Sequence, residues 1–302
     1  MILITGATGF VGAEIVRRAS RRGWRVRGLA RHPEEAEALG RLPQVELFRG
    51  DVLDPATLAE AMDGVAAVIH LVGIIAPTRR QSFEDVHVGG TKNVLAACMN
   101  AGVLRVVHMS ALGADRGRGR SEYWRTKWEA EEAVRASGLR ATIFRPSLVF
   151  GPDDDFFNRL ARVARWSPVV PLPAGGRQEF QPVWVGDVAE AFLQAARVEM
   201  TPRPLYHAAG PEVLTLREIV KQLAAALGKR RVVATLPVAP LRLAAAVVER
   251  VLPSPPVTRD QLAMLEISNV ADPESVRALV QDFEIEHARL SRKAPEWLAR
   301  KA

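Results

Sequence analysis

Two groups of residues in this 302-residue chain have the types and spacing that chemistry requires. The first is Gly6-Ala7-Thr8-Gly9-Phe10-Val11-Gly12, set between an apolar run and a helix-period segment. Gly6 suits a left-handed turn, Gly9 lets backbone amides approach a pyrophosphate, and Gly12 removes a side chain where helix and strand meet. A helix starting here adds partial positive charge at its amino end, so the loop is suited to phosphates. Glycine triplets are common in proteins; this one has a strand before it and a helix after it, the context the motif needs. The second group is Tyr123 and Lys127, four residues apart on a predicted helix and therefore on one face of it. A free phenol titrates near pH 10 and is a poor acid or base at neutrality. A cation beside it favours the phenolate, and a shift of ~3 units needs about 4 kcal/mol of differential interaction. The plainer use of the pair is packing, a buried phenol beside a lysine whose stem covers apolar surface.

The elements that must position these groups alternate along the first half. Strands are expected at Met1–Thr5, Arg25–Leu29, Val45–Phe48, Ala67–Val72, Arg105–Met109 and Ala141–Arg145. Between them fall helices at Phe10–Arg22, from Asp54 to Met62, at Ser82–Ala101 and at Ser121–Ala136. Gly23, Gly102 and Gly138 stand at C-terminal stops, and Asp54-Pro55 is an N-cap followed by proline at the first helical position. Strand, helix, strand in repetition with apolar strands argues an α/β fold, a Rossmann-type doubly wound parallel sheet. After Pro146 the alternation loosens. Helices are expected at Asp155–Ala164, Val188–Arg197, Leu216–Leu227, Arg242–Leu252 and Arg259–Glu266, with Thr215 and Glu218 as a capping box. Short strands are expected at Gln181–Val185, Leu205–Ala208 and Arg231–Ala234, and Ser254-Pro255-Pro256 reads as a hinge. The organisation expected is a dinucleotide-binding domain over 1–146 and a smaller substrate region over 147–302 that returns one strand to the sheet.

The end of the second strand, Leu29-Ala30-Arg31-His32-Pro33, lacks the acid that an NAD site usually places on the ribose 2′-hydroxyl. Arg31 can pair with a 2′-phosphate, so NADP(H) is the expected cofactor, with NAD(H) as the alternative. Lys127 and a nicotinamide beside Tyr123 would then let the phenol pass a proton to or from a carbonyl or hydroxyl as a hydride moves.

Composition excludes other classes. Hydrophobic residues make up 48% and charged residues 25% of the chain, which is globular rather than disordered. One cysteine, Cys98, can form neither an internal disulfide nor a thiolate metal cluster. The net charge is +7, but only six of the 41 basic residues are lysine, and the arginines are dispersed apart from Arg116-Gly117-Arg118-Gly119-Arg120. No aromatic and basic residues interleave, so no nucleic-acid partner is expected. The opening Met1-Ile2-Leu3-Ile4 predicts no secretory leader. The longest apolar stretch, Val232–Val248, is broken by Pro237, Pro240 and Arg242, which predicts no membrane-spanning helix. Asp153-Asp154-Asp155 is expected to cap the next helix rather than to hold a metal. No nucleophile elbow appears, which argues against a hydrolase. His70 and His108 are expected as hydrogen-bonded core residues, and Phe156, Phe157, Trp166 and Trp184 suit either an apolar pocket or the core. The Ala- and Val-rich Arg242–Leu252 segment is expected to pack on the sheet, ahead of a membrane or partner surface.

With these residues in place the chain resembles the short-chain dehydrogenase/reductase superfamily in its extended or atypical, epimerase/dehydratase-like branch, over at least residues 1–190. The resemblance rests on the glycine loop from Thr5, Gly50-Asp51-Val52, His70-Leu71-Val72-Gly73, Gly90-Thr91-Lys92-Asn93-Val94-Leu95, Tyr123 with Lys127, Arg145-Pro146-Ser147-Leu148-Val149-Phe150-Gly151-Pro152, and Asp187. It implies that Gly6, Thr8, Gly9, Phe10, Val11 and Gly12 hold the diphosphate and that Asp51 and Val52 flank the adenine. Leu71, Val72 and Gly73 would line ribose and phosphates, Lys127 would hold the nicotinamide ribose, and Pro146 and Ser147 would sit near the carboxamide. Tyr123, Lys127 and Ser110 would form the catalytic set. The family's serine aligns with either Ser110 or Ala111, and a one-residue step on a strand reverses the side chain's face. The family's asparagine position is taken by His87. Tyr123-Trp124-Arg125-Thr126-Lys127-Trp128-Glu129-Ala130-Glu131 and Thr142-Ile143-Phe144-Arg145-Pro146-Ser147 are similar to the subgroup of the nucleotide-binding accessory subunit of respiratory complex I and related quinone-biosynthesis proteins. Two functions are carried forward: an NADP(H)-dependent oxidoreductase or epimerase, and a cofactor-holding assembly protein with little or no turnover. The partner expected first is a small molecule, apolar or bearing a carbonyl or hydroxyl. A peripheral membrane or a respiratory complex is the second option, in a cytoplasmic, reducing location.

Overall fold

Seven parallel strands form the central sheet in the computed structural model, which describes residues 1–78, 80–117, 121–197, 201–237, 240 and 259–299. They are β1 (Ile2–Thr5), β2 (Val26–Ala30), β3 (Val45–Arg49), β4 (Ala67–His70), β5 (Arg105–Met109), β6 (Arg140–Pro146) and β7 (Leu205–Ala208). Their order is β7-β6-β5-β4-β1-β2-β3, with every pairing parallel. The winding reverses between β1 and β4, and it is outside the carboxyl ends of such strands that doubly wound sheets bind ligands. The α/β doubly wound expectation is the fold observed.

Among the described residues the longer helices are α1 (Phe10–Arg21), α2 (Pro55–Ala61), α3 (Gly90–Asn100), α4 (Glu122–Ala136), α5 (Phe156–Trp166), α6 (Val185–Arg197), α7 (Leu216–Ala226), α8 (Arg259–Leu265), α9 (Pro273–Phe283) and α10 (Leu290–Leu298). Side chains alternate across a strand, so Leu3 joins the layer under α2 and α3 while Ile4 joins the layer under α1 and α6. Both faces are thereby covered, which is why these strands read as apolar runs. A separate core holds the region beyond residue 146 together. In it Phe157 and Ala161 of α5, Ile219 and Leu223 of α7, and Ala294 and Trp297 of α10 surround Val170 and Leu172 of the strand Val169–Pro173. Residues beyond 146 also complete the first half, since β7 pairs with β6 and α6 packs on α1.

Capping follows the sequence signals. Asp54 accepts from Ala56 N, Ser121 accepts from Trp124 N at the start of α4, and Thr215 with Glu218 closes the capping box of α7. Asp154 accepts from Phe157 N and Gly151 N, a capping role for that acidic run. Several expectations change. The helix over Ser82–Ala101 divides into a π-helical turn, Glu84–Gly89, and α3, with Gly89 and Gly90 at the joint. The strand placed at Gln181–Val185 shortens to Val183–Trp184, because Val185 is drawn into the core as the first residue of α6. Helices α9 and α10 were not anticipated, although Asp272-Pro273 is a legible start signal. The Arg242–Leu252 helix and the Ser254-Pro255-Pro256 hinge lie outside the described residues, as does part of the Arg116–Arg120 run. No helix among the described residues is long and apolar enough to cross a membrane.

One buried ion pair joins α4 to the sheet. Arg145 of β6 donates to Glu131 of α4 through Nε (3.0 Å) and Nη2 (2.8 Å), and through Nη1 to Asp115 (2.8 Å). Burial alone would raise the Glu131 carboxyl, but hydrogen bonds from Arg145 and Arg135 outweigh it and hold the group below its usual value. Deleting one partner of a buried pair strands the other charge, so Glu131→Ala should cost about 3–5 kcal/mol in urea unfolding. The depressed carboxyl contributes stability above its unfolded value of about 4.3 and loses it as pH falls through the folded value. Glu131→Gln should therefore flatten the acid limb of the stability–pH curve below about pH 4.

Candidate functional site

The glycine loop follows β1 and forms a cradle that only glycine permits. Gly6 has φ +72°, and a side chain there would press on Val72 N at 3.3 Å. A Cβ at Gly12 would lie 2.1 Å from the Gly6 carbonyl oxygen, well inside contact distance. The first intrahelical bond of α1 runs from Ala13 N to Gly9 O, so the amides of Phe10, Val11 and Gly12 precede the ladder. Gly9 gives this helix no side-chain cap, and no acid sits in its first turn. A bare, positively polarised amino end beside exposed Thr8 and Gly9 fits a diphosphate.

Of the other residues expected around the cofactor, Leu71 and Val72 lie against Gly6. Leu71 and Val72 follow β4 half-buried, and Gly73 is exposed. Asp51 turns its Oδ1 to Leu53 N (3.0 Å), and Val52 is buried beneath Gly90. Arg31 stands exposed just past β2, its Nη1 donating to Gln81 Oε1 at 3.1 Å. Its reach is therefore toward solvent at the strand end, where a ribose phosphate would need a cation.

Tyr123 and Lys127 occupy the first turns of α4. Lys127 is 4% exposed, and its Nζ donates to the Met109 carbonyl at 2.7 Å. Burial brings its pKa down to about 8, with Glu131 opposing the shift. His87 and Lys127 both approach Gly73, where a Cβ would lie 3.4 Å from each side-chain nitrogen. His87 Nε2 lies 3.0 Å from Ile74 N and 3.1 Å from Ile74 O, its Nδ1 pairs with Thr126 Oγ1 at 2.8 Å, and the ring stands edge-on to Tyr123 at 5.5 Å. Burial and the Lys127 charge push His87 down to about 3, so it is neutral. Tyr123 departs from expectation. Burial, and then the Asp260 carboxylate, push its phenol up to about 12 rather than down. Burial disfavours the charged phenolate, and Lys127, itself desolvated, directs its ammonium at the Met109 carbonyl.

A cavity of about 610 Å³ opens beyond the phenol. Tyr123, Ala111, Pro146 and Ser147 stand in its lining. Ser110 does not; it is buried, and its hydroxyl has no hydrogen-bond partner among the described residues. Ala111 therefore occupies the wall position that the strand parity left open. Ser147 donates to Asn269 Oδ1 at 2.7 Å, and Asn269 in turn donates to the Leu112 carbonyl at 2.8 Å. Asn269 and Asp260 lie well over a hundred residues from the motifs they touch and carry no local signature, so nothing in the sequence marked them. Of the two core histidines, His70 bonds Thr5 and Thr91 as expected. His108 stacks on His70, and its ring nitrogens have no hydrogen-bond partner among the described residues. Phe157 is core, Phe156 lines the cavity, and Trp166 is 80% exposed.

Comparison with known proteins agrees with this geometry. The profile of an NAD(P)H-binding family matches residues 6–155. The 40 kDa subunit of NADH-ubiquinone oxidoreductase from Neurospora crassa is 30% identical over 279 residues, covering 90% of this chain and 72% of that protein. A ceramide reductase from Caulobacter vibrioides is 35% identical over 172 residues, 57% of this chain and 53% of that protein. The solved structure of MoeE5 with UDP-glucose and NAD superposes with a TM-score of 0.75 at 21% identity, over 99% of each chain. Some curated relatives are much longer: the chain spans 56% of a mitochondrial NADH dehydrogenase subunit from Arabidopsis thaliana. The chain belongs to an NAD(P)H-binding family that includes the complex I 40 kDa subunit. One expectation is corrected here. A small molecule had been placed first as partner and a respiratory complex second, and relatives named as mitochondrial complex I subunits overturn that ranking.

The raised phenol is open to measurement. Ultraviolet titration should find neither Tyr123 nor Tyr206 ionising near pH 10, since burial pushes both to about 12. Asp260→Asn should move only the Tyr123 step downward; a wild-type step at pH 9 or below would overturn the electrostatic account.

Proposed function

We propose that this protein holds NADP(H) in preference to NAD(H), on a respiratory assembly, and that Tyr123 and Lys127 move a proton as hydride passes to or from a carbonyl or hydroxyl carbon. The observation that supports it best is the place of Tyr123, on the helix that carries Lys127 and in the wall of a cavity shared with Ala111, Pro146 and Ser147. Gly6, Thr8, Gly9, Phe10, Val11 and Gly12 bind the diphosphate through backbone amides, and Arg31 neutralises a 2′-phosphate. Asp51 and Val52 flank the adenine, Leu71, Val72 and Gly73 line the ribose and phosphates, and Lys127 holds the second ribose. Pro146 and Ser147 bound the carboxamide. When bound, the nicotinamide supplies or accepts the hydride. Tyr123 gives its proton to the carbonyl oxygen in reduction and takes it back in oxidation, while neutral His87 and Lys127 orient the phenol. A phenol kept protonated by burial is suited to the acid role first. On this reading the expected cytoplasmic location gives way to the surface of the assembly.

Ala111 in the cavity wall favours a second reading, a cofactor-holding subunit with slow turnover. A missing donor at a developing oxyanion costs about 2.7–4 kcal/mol, or roughly 10²–10³ in rate. Single-turnover mixing of NADPH-loaded protein with ketones separates the two. Tyr123→Phe should cut hydride transfer by about 10²–10⁴ while leaving NADPH affinity nearly unchanged. Ala111→Ser should raise the rate; if neither variant alters NADPH oxidation, the holding role stands and the catalytic one falls. Arg31→Ala should weaken NADPH about ten- to a hundredfold and leave NADH almost unaffected by calorimetry.

A further inference from the structure

The cavity beyond Tyr123 has a chemistry of its own. Leu148, Phe156, Leu160, Val163, Leu216 and Leu236 form much of its wall. Of the polar groups in the lining, Ser147 bonds Asn269 and Arg159 is ion-paired with Asp155, while the Trp124 indole nitrogen has no hydrogen-bond partner among the described residues. Arg159 and Asp155 are both more than half exposed, so that pair marks the rim and not the interior. Along α5 the wall runs outward from Leu160 to Val163, which is 40% exposed. At about 610 Å³ the space falls within the range of sites that enclose a whole small ligand, ~300–1,000 Å³.

We infer that this cavity takes an elongated apolar molecule, its carbonyl or hydroxyl against Tyr123 and its chain along α5, and that it rejects nucleotide sugars. The reacting end of this inference rests on the function proposed above; the apolar chain does not. A nucleoside diphosphate would bring charges to a wall that offers them no unengaged cation among the described lining residues other than through displacement of Asp155 from Arg159. Such charges are strongly disfavoured in apolar surroundings. An alkyl chain gains from each methylene removed from water, about fourfold in affinity per group.

The test uses the full chain loaded with NADPH and titrates 2-pentanone through 2-undecanone, and separately UDP-glucose, by calorimetry, with absorbance at 340 nm followed in parallel. The dissociation constant should fall about fourfold per methylene until the chain fills the space. UDP-glucose should show no competition with 2-undecanone. Leu160→Glu should abolish the chain-length trend and Leu160→Met should keep it, with retained NADPH binding reporting that each variant is folded. A flat series in the wild type, competition by UDP-glucose, or a trend indifferent to Leu160→Glu overturns the inference, even if short ketones are reduced. A steep series with no NADPH oxidation upholds it and overturns the catalytic reading, so the two fail separately.

Discussion

The site depends on how α4 is fixed to the sheet. Among the contacts that hold that helix in place are the Glu131–Arg145 pair to β6, Lys127 Nζ on the Met109 carbonyl at the end of β5, and Ser121 bonded to Asp260 of α8 at 2.8 Å. Each ties the helix to a different part of the chain. Together they set where the phenol stands relative to the carboxyl ends of the strands, and a shift of about 1 Å in such a group is enough to cost catalysis ~10²-fold. The buried pair matters most, because two charges taken from water are tolerable only while each satisfies the other.

That fixation has an electrostatic cost. Enclosing α4 between the sheet and an apolar cavity removes water from Tyr123 and Lys127 alike, raising the phenol to about 12 and lowering the ammonium to about 8. Both shifts disfavour the charged forms, and both oppose the simple picture of a lysine that makes a phenolate. Burial keeps the phenol protonated and His87 neutral. The same dryness suits the apolar cavity wall, so the state of the phenol and the character of the ligand follow from one arrangement.

Much of this was legible because it is local. The glycine loop needs a backbone that only glycine allows, the strands of a sheet covered on both faces read as apolar runs, and Asp54-Pro55, Ser121 and Thr215 with Glu218 cap their helices within three or four residues of themselves. The pairing of Tyr123 with Lys127 is a property of helical pitch. Strand order needed only the alternation of elements and the right-handed crossover that chirality imposes.

What the sequence determined by itself was therefore the fold, the phosphate loop and the helical face that carries the phenol and the amine, since short-range sterics and periodicity are enough to specify them. The tertiary structure decided the rest. It placed Ala111 rather than Ser110 in the cavity wall, since strand parity is settled by pairing and not by residue type. It brought Asp260 and Asn269 from the far end of the chain onto Tyr123 and Ser147. It also reversed the direction of the tyrosine's shift, because desolvation depends on everything packed around a group and no spacing along the chain encodes that.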